Sequence, residues 1–278
     1  MTTQSALLKV MTAAVRKAAR GLNRDFGEVG ELQVSKKGPA DYVSAADLKA
    51  EQTMFEALLA ARPGYGFIGE ERGMIPGTDK THTWIVDPLD GTTNFLHAIP
   101  HWSITVALER DSEIVAGVTY NPIANEMFWA EKGRGAFLND KRLRVAARRD
   151  LGEAVLATGI PFMGRAGHAA FLKELHQIAQ KVAGVRRFGS AALDLAYVAA
   201  GRLDGFWEFG LSPWDMAAGI LLVREAGGYV SDLAGGHDMI EKGEILAAND
   251  HLHLPLGALL KEPLRGRPVR LSPARRMR

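Results

Sequence analysis

Residues 84–95, Trp-Ile-Val-Asp-Pro-Leu-Asp-Gly-Thr-Thr-Asn-Phe, carry the strongest chemical signal in the chain. Trp84, Ile85 and Val86 read as the end of a buried strand, and two carboxylates follow at once. Pro88 lacks an N–H, so strand pairing is expected to stop there, with Pro88 and Gly91 holding Asp87 and Asp90 in a turn. Two carboxylates on a rigid turn can converge on a hard cation, and Mg²⁺ prefers such oxygen ligands. Behind them, Gly91-Thr92-Thr93-Asn94 offers backbone N–H groups at a helix start, a ready anion site. Metal and anion on one turn suggest phosphate chemistry.

Three more acidic segments look chemical: Asp41/Asp47, Glu70-Glu71 and Asp215. Glu70 follows a Phe-Ile-Gly strand end as Asp87 follows Trp-Ile-Val, and carboxylates at the ends of neighbouring strands can share one cleft. Asp215 stands at the start of an apolar helix, where the helix dipole alone would favour an acid. Glu71 and Asp41 read as structural or solvent-facing. Other chemistries lack their residues. The chain has no cysteine, which removes disulfides, thiol nucleophiles and Cys-ligated metals and fits the cytoplasm. Its eight histidines show no paired-ligand spacing, although His97 and His101 flank a turn near the proposed site. No Walker A loop, Gly-x-Ser-x-Gly elbow or complete dinucleotide fingerprint occurs, and Gly133-Arg134-Gly135 reads as a hairpin. Trp84 and Trp129 read as core residues.

The elements that must position these groups follow from periodicity and breakers. A helix over 5–22 is expected to stop at Gly21. Residues 30–46 read as a polar loop or hairpin. A second helix spans 47–62, with Asp47 as its N-cap and Pro63-Gly64 ending it. Phe67-Ile68 is a short strand. Strands then run over 83–87, 102–110, 113–120, 126–131 and a piece near 136–145, joined by turns, which predicts an antiparallel sheet. The second half alternates: strand 154–158, helix 166–182, strand 185–188, helix 190–200, strand 204–208, helix 214–226, strands 228–232 and 244–248, helix 250–260. The expected division is an N-terminal α+β metal- and phosphate-binding half over 1–147, a C-terminal α/β half over 148–261, and a basic, disordered tail over 262–278. No apolar run is long enough for a membrane span, and the amphipathic N-terminus lacks the apolar centre of a signal peptide.

Asp87-Pro-Leu-Asp-Gly-Thr-Thr-Asn-Phe95, with Trp214-Asp215-Met-Ala-Ala-Gly219 and the later Glu225-Ala-Gly-Gly228, resembles the inositol monophosphatase family of the Mg²⁺-dependent, lithium-sensitive phosphatase superfamily. The resemblance covers roughly residues 5–260 in order. It implies a layered α/β/α/β/α sandwich of the sugar-phosphatase type, with an antiparallel sheet and two helices first and a mixed α/β layer second. It also implies roles. Glu70, Asp87 and the Leu89 carbonyl would hold one Mg²⁺; Asp87, Asp90 and Asp215 would hold another. Glu70 and Thr92 would position the attacking water, with Asp47 supporting Thr92. The backbone at Gly91 and Thr92 would bind phosphate. Gly189-Ser190-Ala191-Ala192 matches the segment lining the sugar pocket, and Glu208 matches a residue that bonds inositol hydroxyls, so Ala192, Glu208, Asp90 and Asp215 would contact the substrate. Lys36 falls on the family's mobile loop, where Lys37 is an alternative.

The implied reaction is hydrolysis of a small-molecule phosphate ester, myo-inositol monophosphate, by a metal-activated water in a homodimer. A phosphate monoester brings about −1.5 to −2 charges, so a carboxylate cleft would repel it without metal. Thr93-Asn94-Phe95 resembles inositol monophosphatases rather than nucleotide bisphosphate phosphatases or histidinol phosphatases, whereas Ser212 departs from the His or Lys often seen in other members. Fructose 1,6-bisphosphate and histidinol phosphate are therefore kept as alternative substrates. A different class is also open, because some bacterial members join RNA-polymerase antitermination assemblies. From Lys261 onward seven Lys/Arg face one acid, a net +6, so the chain's +2 leaves −4 for residues 1–260. Such a tail, with the Arg142–Arg149 cluster, suits nucleic acid or RNA polymerase.

Overall fold

The computed structural model describes residues 4–28, 45–161 and 165–261 in full, and the backbone of 34–38 and 41–44. The side chain of Lys36 and the tail over 262–278 lie outside the described residues. In chain order the elements are α1 (Ala6–Gly27), β1 (Val34–Gly38), β2 (Asp41–Ser44), α2 (Ala45–Ala61), β3 (Gly66–Gly69), β4 (Gly73–Ile75), β5 (His82–Asp90), α3 (Thr92–Leu96), β6 (Ser103–Arg110), β7 (Glu113–Asn121), β8 (Glu126–Glu131), β9 (Gly135–Leu138) and β10 (Lys141–Arg142). The second half adds β11 (Val155–Thr158), α4 (His168–Ala179), β12 (Gly184–Arg186), α5 (Ala191–Ala199), β13 (Gly205–Phe209), α6 (Pro213–Glu225), β14 (Tyr229–Ser231), α7 (Met239–Lys242), β15 (Glu244–Ala248) and α8 (Asp250–Lys261).

Two large sheets and three helical layers alternate, and β1 and β2 form a separate antiparallel hairpin, as the polar 30–46 segment allowed. The first sheet has the order β10-β9-β8-β7-β6-β5-β3-β4, and the second has β12-β11-β13-β15-β14. Helices α1 and α2 pack on the outer face of the first sheet, where Leu8, Met11, Val15, Leu22 and Met54 meet Trp84, Val86 and Val106. Each of these large side chains is fully buried, an effect of roughly 1.5–3 kcal/mol apiece. Helices α5 and α6 fill the layer between the sheets, meeting Phe128 and Ala130 on one side and Phe206, Ile245 and Ala247 on the other. Helices α4 and α8 cover the far face of the second sheet through Phe171, Ile178, Leu252, Leu256 and Leu260. The layered sandwich expected from the sequence is therefore present.

Three local readings need correction. Helix α1 does not stop at Gly21 but continues to Gly27. Phe26 packs on Phe95 and Trp102 at ring distances of 5.4 and 5.6 Å, and that packing outweighs the roughly 1 kcal/mol that glycine costs a helix. Asp47 lies inside the first turn of α2 rather than at its N-cap. The first sheet is not wholly antiparallel, because β3 runs parallel to β5. That pair places the C-terminal ends of two neighbouring strands, and so Glu70 and Asp87, side by side. The central layer sits close: a Cβ on Gly117 of β7 would lie 2.9 Å from the Ala218 Cα of α6, so only glycine admits this approach.

Candidate active site

Strand β5 is the axis of the site, and its register explains the paired carboxylates. Asp87 pairs with Thr105 and Asp90 with Ser103, so β5 carries one more residue than β6 between these rungs. Thr105 and Ser103 are two apart and share a face, hence so do Asp87 and Asp90. In an unbroken strand, residues three apart would point to opposite faces. Pro88 lies in the bulge, where a missing N–H costs no ladder bond. Pairing thus resumes at Asp90, which corrects the expectation that it ends at Pro88. Gly91 follows with φ 95°; a Cβ there would sit 3.2 Å from the carbonyl oxygens of both Gly189 and His101. This left-handed, confined position requires glycine.

Each acid has fixed partners. The Leu89 N–H donates to Asp87 Oδ1 at 2.9 Å. Asp90 Oδ2 accepts the Ala192 N–H at 2.9 Å and the Ser190 hydroxyl, and the Ser103 hydroxyl lies 3.4 Å away. Asp215 Oδ2 accepts the Ser212 N–H at 2.7 Å, closing the first turn of α6. The Thr92 hydroxyl lies 3.1 Å from Asp47 Oδ1 and 3.0 Å from the Leu89 carbonyl, and donates to one of them at a time. Asp47 is buried at 1% exposure, and this bond links α2 to the first residue of α3.

Electrostatics tie the four segments together. Burial raises Asp87 well above the usual carboxylate range, and the charges of Glu70, Asp90 and Asp215 raise it further. Burial pushes Asp90 up to about 6, opposed mainly by the hydrogen bonds from Ser190 and Ala192. Asp215 is raised by burial and then by Asp90, with Glu70 and Glu208 adding to it. Glu208 goes up to about 7 through burial and the Asp90 charge, while Arg165 and Arg187 pull it down. The groups that act most strongly on Asp87 are anionic or neutral; no cationic side chain is among them. Such crowding calls for a cation, and an all-oxygen donor set fits a hard divalent one. Among the described residues no three or more His, Cys, Asp or Glu side chains form a closed metal cluster, so crowding unites the four rather than a preformed cage.

The structure thus brings together Glu70, Asp87, Leu89, Asp90, Gly91, Thr92, Asp47 and Asp215, with Ala192 and Glu208 alongside. Ala192 is fully buried, and its N–H is already engaged by Asp90. His101 is half-buried against Phe188 with ring centres 5.0 Å apart, whereas His97 is exposed. Sequence reasoning missed Glu51. This residue is fully buried, and its Oε2 accepts the Glu71 N–H at 2.8 Å, fixing the turn that carries Glu70. Its signal was present: Asp47 and Glu51 are four apart and share one helix face. Asp194, buried on α5 and raised by burial, Glu208 and Asp90, was also missed.

The sequence model of the inositol monophosphatase family matches residues 3–262. The chain belongs to the inositol monophosphatase family. An inositol-1-monophosphatase from Caulobacter vibrioides is 68% identical over 246 residues, 87% of this chain and 96% of that one. A Nus factor SuhB from Pseudomonas aeruginosa is 45% identical over 247 residues, 87% of this chain and 91% of that one. Among solved structures, the extragenic suppressor protein suhB from Bartonella henselae superposes with a TM-score of 0.91 at 58% identity, covering 93% of this chain and 99% of that one. Inositol monophosphatases are metal-dependent in general, and membership makes this chain a phosphatase. Among the described residues no helix is long and apolar enough to cross a membrane.

Proposed function

We propose that this inositol monophosphatase family member hydrolyses myo-inositol 1-phosphate to inositol and phosphate, with Mg²⁺ as its metal and water as the nucleophile. The observation that carries the reading is the set of buried, mutually repelling carboxylates at Asp87, Asp90 and Asp215 beside Glu70. Glu70, Asp87 and the Leu89 carbonyl would hold one Mg²⁺, and Asp87, Asp90 and Asp215 would hold the other. Bound Mg²⁺ supplies the positive charge that admits a phosphate ester, acidifies water and neutralises the leaving alkoxide. Glu70 and the Thr92 hydroxyl orient the water, and Asp47 orients Thr92 through the bond already described. Backbone N–H groups at Gly91 and Thr92 receive phosphate oxygens. Glu208 and the Ala192 segment bind the ring hydroxyls, together with the outer faces of Asp90 and Asp215. Lys36, with Lys37 as the alternative, is the residue this reading assigns to the family's mobile segment; both belong to β1. A homodimer, inhibition by Li⁺ and a cytoplasmic location complete the reading.

Phosphate release from inositol 1-phosphate is measured across Mg²⁺ concentrations, with fructose 1,6-bisphosphate and histidinol phosphate alongside. Mg²⁺-dependent turnover that favours inositol 1-phosphate is the expected result. Preference for another ester would move the substrate assignment, and no turnover on any ester would overturn the catalytic reading. A second role is favoured by one observation: relatives named Nus factor SuhB match most of the chain, which also ends in a basic tail. That role is salt-sensitive binding of RNA or RNA polymerase through 262–278. If truncation at residue 261 leaves such binding unchanged, the tail has no part in it.

A further inference from the structure

The Asn94 carboxamide ties together two backbone segments, one seven and the other 94 residues further along the chain. Its Nδ2 donates to the His101 carbonyl and to the Phe188 carbonyl, each at 2.8 Å. Asn94 is buried at 6% exposure, and its two carbonyl partners are half-buried. Both partners are carbonyls, which only accept, so the amide nitrogen must face them and both of its hydrogens are used. A carboxylate in this place would set lone pairs against lone pairs.

The two tethered segments are the ones that aim Asp90. Two residues past His101 stands Ser103, and two past Phe188 stands Ser190, followed by Ala192. These three supply the hydroxyls and the N–H that surround Asp90 Oδ2. The Ser103 and Ser190 hydroxyl oxygens are 3.4 Å apart, so the segments converge on the same oxygen. Gly91 is wedged between the same two segments, with the Gly189 and His101 carbonyls each 3.2 Å from where its Cβ would be. Both amide hydrogens of Asn94 are therefore spent on the protein's own backbone. Its hydrogen bonds set the spacing of the walls that grip Asp90.

We propose that Asn94 is a positioning residue: it fixes the 101–103 and 188–192 segments so that the Asp90 carboxylate presents its free oxygen to the metal. This rests on the assignment of Asp90 as a metal ligand. Groups that orient a metal ligand from behind typically contribute roughly 10–100-fold in metal affinity.

The test measures binding of Mg²⁺ alone, by titration calorimetry on the full chain without substrate. Asn94→Asp and Asn94→Ala are compared with wild type, Ser190→Ala, the Asn94→Asp/Ser190→Ala double variant and Asp90→Asn, each checked for fold by circular dichroism. Both Asn94 variants should bind Mg²⁺ roughly tenfold or more weakly, while the substrate KM at saturating Mg²⁺ stays within about twofold. The double variant should lose less than the product of the single losses, because both changes act through Asp90. Folded Asn94 variants with wild-type Mg²⁺ affinity would overturn the proposal, and so would unfolding of both, which would assign Asn94 to stability alone. If Asp90→Asn binds Mg²⁺ as wild type does, the ligand assignment itself fails, and that failure is distinct from the other two.

Discussion

Replacing Glu208 by glutamine tests the electrostatic reading of the site without touching a proposed metal ligand. Burial and the Asp90 charge move this carboxyl from 4.5 to about 7. The folded protein therefore holds the Glu208 proton more tightly than the unfolded chain does. This contribution to stability is fully present below pH 4.5 and is lost as the pH rises through about 7. At about 1.36 kcal/mol per pKa unit, the loss comes to roughly 3 kcal/mol. Glutamine keeps the shape and cannot ionise. Glu208→Gln should therefore match wild type near pH 4.5 and exceed it by roughly 3 kcal/mol near pH 8.5, or roughly 6–12 °C in Tm. The assay is urea unfolding in a chelating buffer at both pH values, so that metal binding does not add its own linkage. Stability curves for the two proteins that run parallel across the whole range would refute the argument.

Three other outcomes follow from the same geometry. Mg²⁺ binding should weaken as the pH falls through about 6, where Asp90 takes up its proton, and calorimetric titrations at a series of pH values read this directly. Asp90→Asn should abolish turnover while leaving the fold intact by circular dichroism; a fully active variant would remove Asp90 from the mechanism. Thr92→Val removes the hydroxyl that bonds Asp47 and should lower kcat roughly 100-fold or more, whereas Thr92→Ser should retain most of it.

Much of the fold was legible because its signals are local. The strands over 113–120, 126–131 and 244–248 alternate or run apolar between strong turn residues, and they appear as β7, β8 and β15 almost residue for residue. The turn joining the strands over 102–110 and 113–120 falls on Asp111-Ser112, both with positive φ, 51° and 65°. What escaped was decided by partners far away in sequence. Gly21 lies within α1 because the turn after it is anchored by Phe26 on Trp102. Short β4 and α7 have too few residues to show a period. Asp87 and Asp90 were found from residue type and spacing, but the reason they face one way is a bulge visible only in the register with β6. Ser190 and Ser103 were not singled out for what they do, because each becomes informative only when 188–192 folds back onto Asp90.

Asp215 fills two posts at once: its carboxylate closes the opening turn of α6 by accepting the Ser212 N–H, and it stands in the acidic cluster. α6 is one of the two helices packed between the sheets, so a descendant that abandons catalysis but keeps the scaffold still gains from this side chain. Retention of the Trp214-Asp215 signature in a relative is thus a record of architecture. It does not certify that the relative is still an enzyme. Glu70 stands in the turn after β3 rather than in the first turn of a helix and is the better diagnostic, because its loss would mark a lineage in which the scaffold has outlived the reaction.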